Sequence, residues 1–397
     1  MSTPHAGIQA RHLAGADLAA ALRDARARTW ALVDDLDDAA WRPPHQPGVN
    51  PLHWEMAHIA WFAEFWTLRG PHGRGADGFA TAARAGRFAA TDAHFDSARL
   101  AHADRWTTPM PTRSALRQMH AGQLQASIDA LPDTSGLTQA EADRALYFHR
   151  LALFHEDMHA EAFVWTRATL GHPAPQGLSP PLLSSTRAGR IEVPSGLHAD
   201  GRSPDAPGFS FDNELHNFAE NSRGHIPTDS YSIDSTQVSA SRFAEFLSAS
   251  GHPPPPRWRR QPGHSVANGW QIRWFDGWID ATPTLPAMHV SHTDALAYCA
   301  WAGCRLPTAT EWEQAALRGQ GFHWGHSVWE WTASVFLPYA GFVAGPYAEY
   351  SQPWFGDHIE LRGGAFATHE RMHHPCYRNF FLPQRSDIFS GFRTVAL

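Results

Sequence analysis

The sequence predicts a two-part fold: a four-helix bundle followed by a loop-rich domain of mixed α/β character. Three observations predict it. Before residue 171 the apolar residues recur at helical spacing over long stretches, whereas beyond it they form short pieces broken by Gly, Pro, Asn and Asp. Between the two, GHPAPQGLSPPLLSSTRAGR (171–190) is rich in Pro, Gly and Ser, which interrupts periodicity. The length of 397 residues is enough for two domains, each with a core of its own. The expected division is a bundle over 1–175, a linker over 176–190 and a second domain over 191–397.

The first helix is expected from about Asp17 to Leu36, where Leu18, Leu22, Ala25, Trp30 and Leu32 fall near one face. Asn50-Pro51 then reads as an N-cap with Pro at the first helical position, and LHWEMAHIAWFAEFWTLR continues as an aromatic helix up to Gly70. Pro111–Leu131 and Thr138–Leu170 complete the bundle. The second half has few long helical patterns apart from Ser239–Ser250 and Ser291–Ala302.

Composition narrows the function classes. Hydrophobic residues make up 43% and charged residues 18%, an ordinary globular balance. The formal net charge is −7 and the chain has no lysine, so the basic footprint of a nucleic-acid binder is absent. No run of about 18 apolar residues occurs and the start has no signal-peptide pattern, so neither membrane insertion nor export is expected. Cys299, Cys304 and Cys376 are the only cysteines, a sparse odd set that suits a reducing cytoplasm and no disulfide staple.

The sharpest local signal is His155-Glu156-Asp157-Met158-His159 in the fourth helix. At about 100° per residue the two histidines lie about 40° apart on one face, within reach of one ion. His58, among the apolar and aromatic residues of WEMAHIAWFAEFW, supplies a third imidazole from the second helix. HEDMH also satisfies the HExxH pattern of zinc proteases, with Glu156 as base, but Ala162 and Trp165 stand where the common extension wants Gly and His. With 26 histidines, an i,i+4 pair also arises by chance, and Glu156 and Asp157 are then either solvated or orient the imidazoles.

NPLHWEMAHIAWFAEFWTLRG and HEDMHAEAF, with FSFDNE (209–214), HVSHTDALAYCAWAGCRLPTATEWEQAA (289–316), VWEWTAS (328–334), LRGGAFAT (361–368) and SGFR (390–393), give a resemblance over nearly the whole chain. It is to the two-domain non-heme iron sulfoxide synthases of ergothioneine and ovothiol synthesis and their selenoneine-forming relatives. The resemblance implies a DinB-like four-helix bundle followed by a domain with the formylglycine-generating-enzyme (sulfatase-modifying-factor), C-type-lectin-like fold. It implies Fe(II) held by His58, His155 and His159, O₂ as co-substrate, and small-molecule substrates: hercynine together with a selenosugar or a thiol. The tryptophans and the RLPT turn of the second domain read as structural.

Departures from the pattern bear on the activity. The cysteine pair that formylglycine formation needs falls on Thr368 and His373 here, which argues against that reaction. The loop that often reads RNWD followed by Arg is Arg378-Asn379-Phe380-Phe381 and then Arg385. The resemblance thus places Asn379, Phe380 and Arg385 near the substrates, while Phe381 replaces an Asp that holds the amino-acid end of a γ-glutamylcysteine donor. Met158 stands where several relatives carry Gln. These features, with HEDMHAEAF and DARARTWALVDDL, look closest to the selenoneine synthase branch, which would join hercynine to a selenosugar; the alternative is sulfoxide formation from cysteine or γ-glutamylcysteine. For the tyrosine that donates a proton near the chalcogen, Tyr339, Tyr347 and Tyr350 lie in the corresponding region, with Tyr347 the choice. A lectin-like binder and a zinc hydrolase are the other classes. A binder needs no converging imidazoles, and a hydrolase needs no O₂.

Overall fold

A computed structural model describes residues 5–88, 92–184, 189–216, 226–261, 269–319 and 321–397. Four long helices make up the first half: α1 (Gly15–Ala31), α2 (Leu52–Leu68), α3 (Arg113–Asp129) and α4 (Gln139–Leu170). Thr112 and Thr138 cap α3 and α4 with their hydroxyls, and Glu141 completes a capping box on Thr138. Gly171, at φ 74°, ends α4 in the left-handed conformation that a side chain would disfavour.

The second helix begins differently from the sequence expectation. Pro51 is its N-cap, and the Asn50 side chain instead accepts a hydrogen bond from Arg105 Nη1 at 2.7 Å. A fixed φ suits Pro to this half-in position, and the guanidinium, stacked 4.2 Å over Trp54, competes for the amide oxygen. Every residue of α2 from Leu52 to Trp66 is buried, because α3 and α4 pack against it and the flanking segments cover the rest. The central helix of the bundle is therefore the aromatic one.

Two four-stranded sheets organise the second half. One runs Cys304–Arg305, Val395–Ala396, Tyr231–Asp234, Arg190–Val193, all antiparallel. The other runs Asn379–Phe381, Ile359–Arg362, Trp329–Val335, Ser390–Gly391, with only the last pair parallel. Helices α5 (Ala240–Ser250), α6 (His292–Ala302) and α7 (Ala309–Arg318) and a three-stranded meander from Trp258 to Asp280 complete it. The α7 helix was not expected from the sequence. Of the expected linker 176–190, residues 185–188 lie outside the described residues.

Buried tryptophans carry the loop-rich core, each with its indole N–H satisfied. Trp312 donates to Glu330 at 2.9 Å and Trp331 to the Val290 carbonyl at 2.8 Å. The apolar cluster is continuous from Trp54, Phe62 and Phe163 of the bundle to Phe211, Trp329 and Leu361 beyond it. Polar ties cross the same junction. Arg11 forks onto Glu214 with two 2.7 Å bonds, Arg371 onto Asp157 with two of 2.9 Å, and Trp329 donates to Glu161 at 2.6 Å. All three cysteines are free, and among the described residues no helix is long and apolar enough to cross a membrane.

Candidate active site

The sequence of α2 and α4 puts three histidines on facing surfaces, and packing brings their ring nitrogens together. His155 Nε2 lies 3.2 Å from His58 Nε2 and 3.1 Å from His159 Nε2. Around them the walls are aromatic. Phe62 stacks on His155 with centroids 3.5 Å apart and planes at 4°, while Trp54 stacks on His58 at 5.0 Å.

The outer nitrogens decide what the inner ones can do. His58 Nδ1 is 2.7 Å from the Phe95 carbonyl and His159 Nδ1 is 2.6 Å from Glu55 Oε1, so both Nδ1 atoms donate. In the neutral rings the Nε2 lone pairs then point inward. Burial, and next the proximity of His159, holds His58 well below the usual histidine pKa; the same causes, with His58, act on His155. Lone pairs at this spacing repel unless a cation or a shared proton lies between them. For metal–nitrogen bonds of about 2.1 Å, nitrogens about 3.0 Å apart subtend a right angle, so the observed separations fit three adjacent ligands on one face of an ion. The donor set suits a metal that prefers imidazole, and the opposite face is left to small molecules.

That face opens on a cavity of about 230 Å³ lined by Asn50, Glu55, Met158, Trp165, Tyr347 and Tyr350, among others. Tyr347 meets Phe62 edge to face at 5.0 Å and stacks on Tyr350 at 6.0 Å with the planes 28° apart. Burial pushes the Tyr347 phenol far above its usual pKa, so it stays protonated at neutral pH and keeps a proton to donate, while its oxygen can also accept a hydrogen bond.

The other residues singled out from the sequence lie elsewhere. Phe380 stacks on Phe336 at 4.1 Å, and Asn379 Oδ1 accepts from the Phe380 backbone N–H at 2.9 Å. Arg385 is forked onto Asp387 at 2.6 and 2.9 Å, with its guanidinium over both Phe381 and Trp165. Of these residues, Met158 and Tyr347 line the cavity together with His155 and His159. Asn379, Phe380 and Phe381 do not line it, and Arg385 reaches it only through Trp165.

The HExxH reading fails on Glu156. Its carboxylate is buried and forked onto Arg26 at 2.7 and 3.1 Å, inside the bundle and away from the cavity. Asp157 is taken by Arg371, so neither acid is solvated and neither orients an imidazole through a hydrogen bond. That role belongs to Glu55, which sequence reasoning passed over. The available signal was its place one turn before His58, an acid without a basic partner on an apolar helix.

Comparison with known proteins places both halves. Residues 21–163 match the DinB superfamily and residues 178–327 match the sulfatase-modifying factor enzyme 1-like domain. The hercynine oxygenase of Mycolicibacterium smegmatis is 30% identical over 448 aligned positions, covering 95% of this chain and 97% of that protein. The chain belongs to the hercynine oxygenase family. The Mycolicibacterium thermoresistibile member is 28% identical, covering 95% of this chain and 94% of its own. The formylglycine-generating enzyme of Thermomonospora curvata is 30% identical over 176 positions, covering 35% of this chain and 53% of its own. The family's architecture is thus a DinB-like helical domain followed by a formylglycine-generating-enzyme-like domain, and the imidazole cluster sits on the first, facing the second.

Proposed function

We propose that this protein is an Fe(II)- and O₂-dependent enzyme that joins hercynine to a selenosugar through a carbon–selenium bond at the imidazole carbon between the two nitrogens. The observation that carries the reading is the convergence of His58, His155 and His159 Nε2 at the head of an aromatic cavity. Full-length similarity to hercynine oxygenases supports the methylated histidine as substrate and an oxidative reaction. Selenium as the donor rests on Met158, which lines the cavity and offers no charge-assisted partner to an amino-acid thiol, and on the resemblance of the Arg378–Phe381 loop, which lies outside the cavity, to the selenoneine-forming branch.

His58, His155 and His159 would hold the iron, which supplies the activation of O₂ and a cationic seat for a selenolate or thiolate. The overall change balances with one O₂. The imidazole C–H and the Se–H are lost, their hydrogens leave in one water, and the second oxygen remains on selenium. The chain's own groups do the positioning. Trp165, Tyr347 and Tyr350 offer aromatic faces to a trimethylammonium group. The Asn50 amide at the cavity edge is a donor for a carboxylate. Tyr347, a lining residue that keeps its phenol proton and whose hydroxyl bonds Ser97, would turn that hydroxyl to pass a proton to an oxidised chalcogen.

The test is an aerobic incubation of iron-reconstituted protein with hercynine and, in separate reactions, a selenosugar, cysteine or γ-glutamylcysteine, followed by mass spectrometry. A selenium-containing hercynine adduct formed in preference to sulfur adducts is expected. A sulfoxide adduct from a thiol alone would assign the thiol chemistry instead, and the absence of any O₂-dependent product would remove the whole reading.

A further inference from the structure

The second domain holds another group of ligand-type side chains that the proposed reaction does not use. His198 ends the Gly196–His198 strand, Asp200 follows it, and Glu313 stands in the middle of α7. One ligand atom from each lies within 4.8 Å of the others. His198 Nε2 is 3.6 Å from Asp200 Oδ1 and 3.5 Å from Glu313 Oε1.

These separations are long for hydrogen bonds between such groups, whose usual range ends near about 3.2 Å. They match the edge of a tetrahedron, about 3.4 Å, around an ion bound at about 2.1 Å by nitrogen and oxygen. His198 Nε2 and Asp200 Oδ1 have no hydrogen-bond partner, although Asp200 is only 5% exposed. A buried carboxylate oxygen and an imidazole nitrogen left facing one another are costly as they stand.

The second oxygen of each acid is already engaged, and Glu313 Oε1, the oxygen nearest His198, has partners of its own besides. Thr310 Oγ1 donates to Asp200 Oδ2 at 2.5 Å, and Arg362 Nη1 meets Glu313 Oε2 at 2.9 Å. Glu313 Oε1 also accepts from the Gly201 N–H at 2.8 Å. Each acid thus turns one oxygen toward His198, that of Asp200 without another partner and that of Glu313 shared with the Gly201 N–H, as outer hydrogen bonds orient metal ligands. The Cys376 thiol lies 3.5 Å from Glu313 Oε1 and adds a soft group to the setting.

We propose that His198, Asp200 and Glu313 form a second metal site that holds a zinc-class divalent cation tetrahedrally and ties the Gly196–His198 strand to α7. One imidazole and two single carboxylate oxygens are too few hard donors for calcium, and a nitrogen donor is poorly suited to magnesium. The site is structural: next along the chain from Cys376, Tyr377 reaches Tyr350 in the cavity wall, with hydroxyls 3.4 Å apart.

The test uses the full chain carrying His155→Ala, so that zinc at the bundle histidines does not obscure the count. After chelation and equilibration with zinc, elemental analysis should find about one zinc per chain, lost when His198→Gln and Asp200→Asn are added. Absence of zinc after equilibration, or an unchanged content in the added variants, overturns the proposal. Cobalt(II) loaded into the same His155→Ala chain gives a second readout that requires no further substitution. Intense visible absorption of tetrahedral cobalt is expected; weak six-coordinate absorption or no uptake overturns the proposal.

Discussion

Glu55 Oε1 accepts a 2.6 Å hydrogen bond from His159 Nδ1, across the seam between α2 and α4. The bond selects the tautomer in which His159 Nε2 carries its lone pair toward His155, and it holds the ring against rotation. Glu55 is 1% exposed, so little water competes for it.

Removing this carboxylate should weaken metal binding without removing a ligand. Glu55→Ala is expected to lower iron affinity by about 10- to 100-fold, with Glu55→Gln between it and the parent chain. A competition titration against a coloured chelator measures it, and turnover should recover at high iron. An affinity equal to that of the parent would remove the orienting role.

Replacing a ligand itself is a different kind of change. His155 is the middle nitrogen of the three, close to both others. His155→Ala should abolish iron binding and O₂-dependent turnover together, while far-UV circular dichroism stays unchanged. A variant that kept both would sink the ligand assignment.

The legible part of the site is the part whose residues are close in sequence or share a helix. His155 and His159 can be paired by the 3.6-residue period, and His58 by its aromatic helix, because α2 is buried on all sides and an imidazole there needs a partner. Glu55 is legible in principle on the same helix face. What cannot be read is the pairing of distant charges. Nothing local says that Glu156 turns to Arg26, or that Asp200 meets Glu313 across 113 positions. The bundle follows from periodicity, whereas the second domain's sheets join strands of two to seven residues from remote parts of the chain, too short for any pattern to register. Phe380 shows the same limit. Its stacking on Phe336 is a tertiary fact, and the residue looks the same on paper whether it holds a substrate or a neighbour.

Tyr347 gives a prediction about products rather than folding. Its ring is packed between Phe62 and Tyr350, contacts that phenylalanine keeps. Tyr347→Phe should therefore preserve stability and iron content but shift products from the hercynine adduct toward simple oxidation of the chalcogen donor. Mass spectrometry of both product classes from one reaction decides it. An unchanged ratio would remove the proton-donor role.

The Arg11–Glu214 fork is wholly buried, with neither side chain exposed. Arg11 also donates to the Phe209 carbonyl, so it fastens the chain before α1 to the second domain. Glu214→Ala leaves a buried guanidinium without its counter-charge and should cost about 3–5 kcal/mol. Urea denaturation of the metal-free chain measures this. A loss below about 1 kcal/mol, the range of exposed pairs, would show that the fork does not hold the two halves together.

His289 predicts the direction of acid sensitivity. It is 1% exposed, its Nδ1 faces the Ser386 carbonyl at 3.1 Å, and burial, helped by Arg257, pulls its pKa down to about 3. In the unfolded chain the same imidazole titrates near about 6.5. Between these values the unfolded state binds a proton that the folded state does not, so His289 draws stability out of the fold as pH falls from about 6.5 toward 3, and none of that loss is present above pH 6.5. His289 also sits at φ 59°, where asparagine is tolerated better than most residues. His289→Asn should therefore be less stable than the parent at pH 7.5, where the packed ring is lost, yet lose less stability on acidification. The slope of unfolding free energy against pH between 4 and 6 should fall by about one proton, or about 1.4 kcal/mol per pH unit. Parallel slopes for the two proteins would mean that the buried imidazole takes up its proton without unfolding.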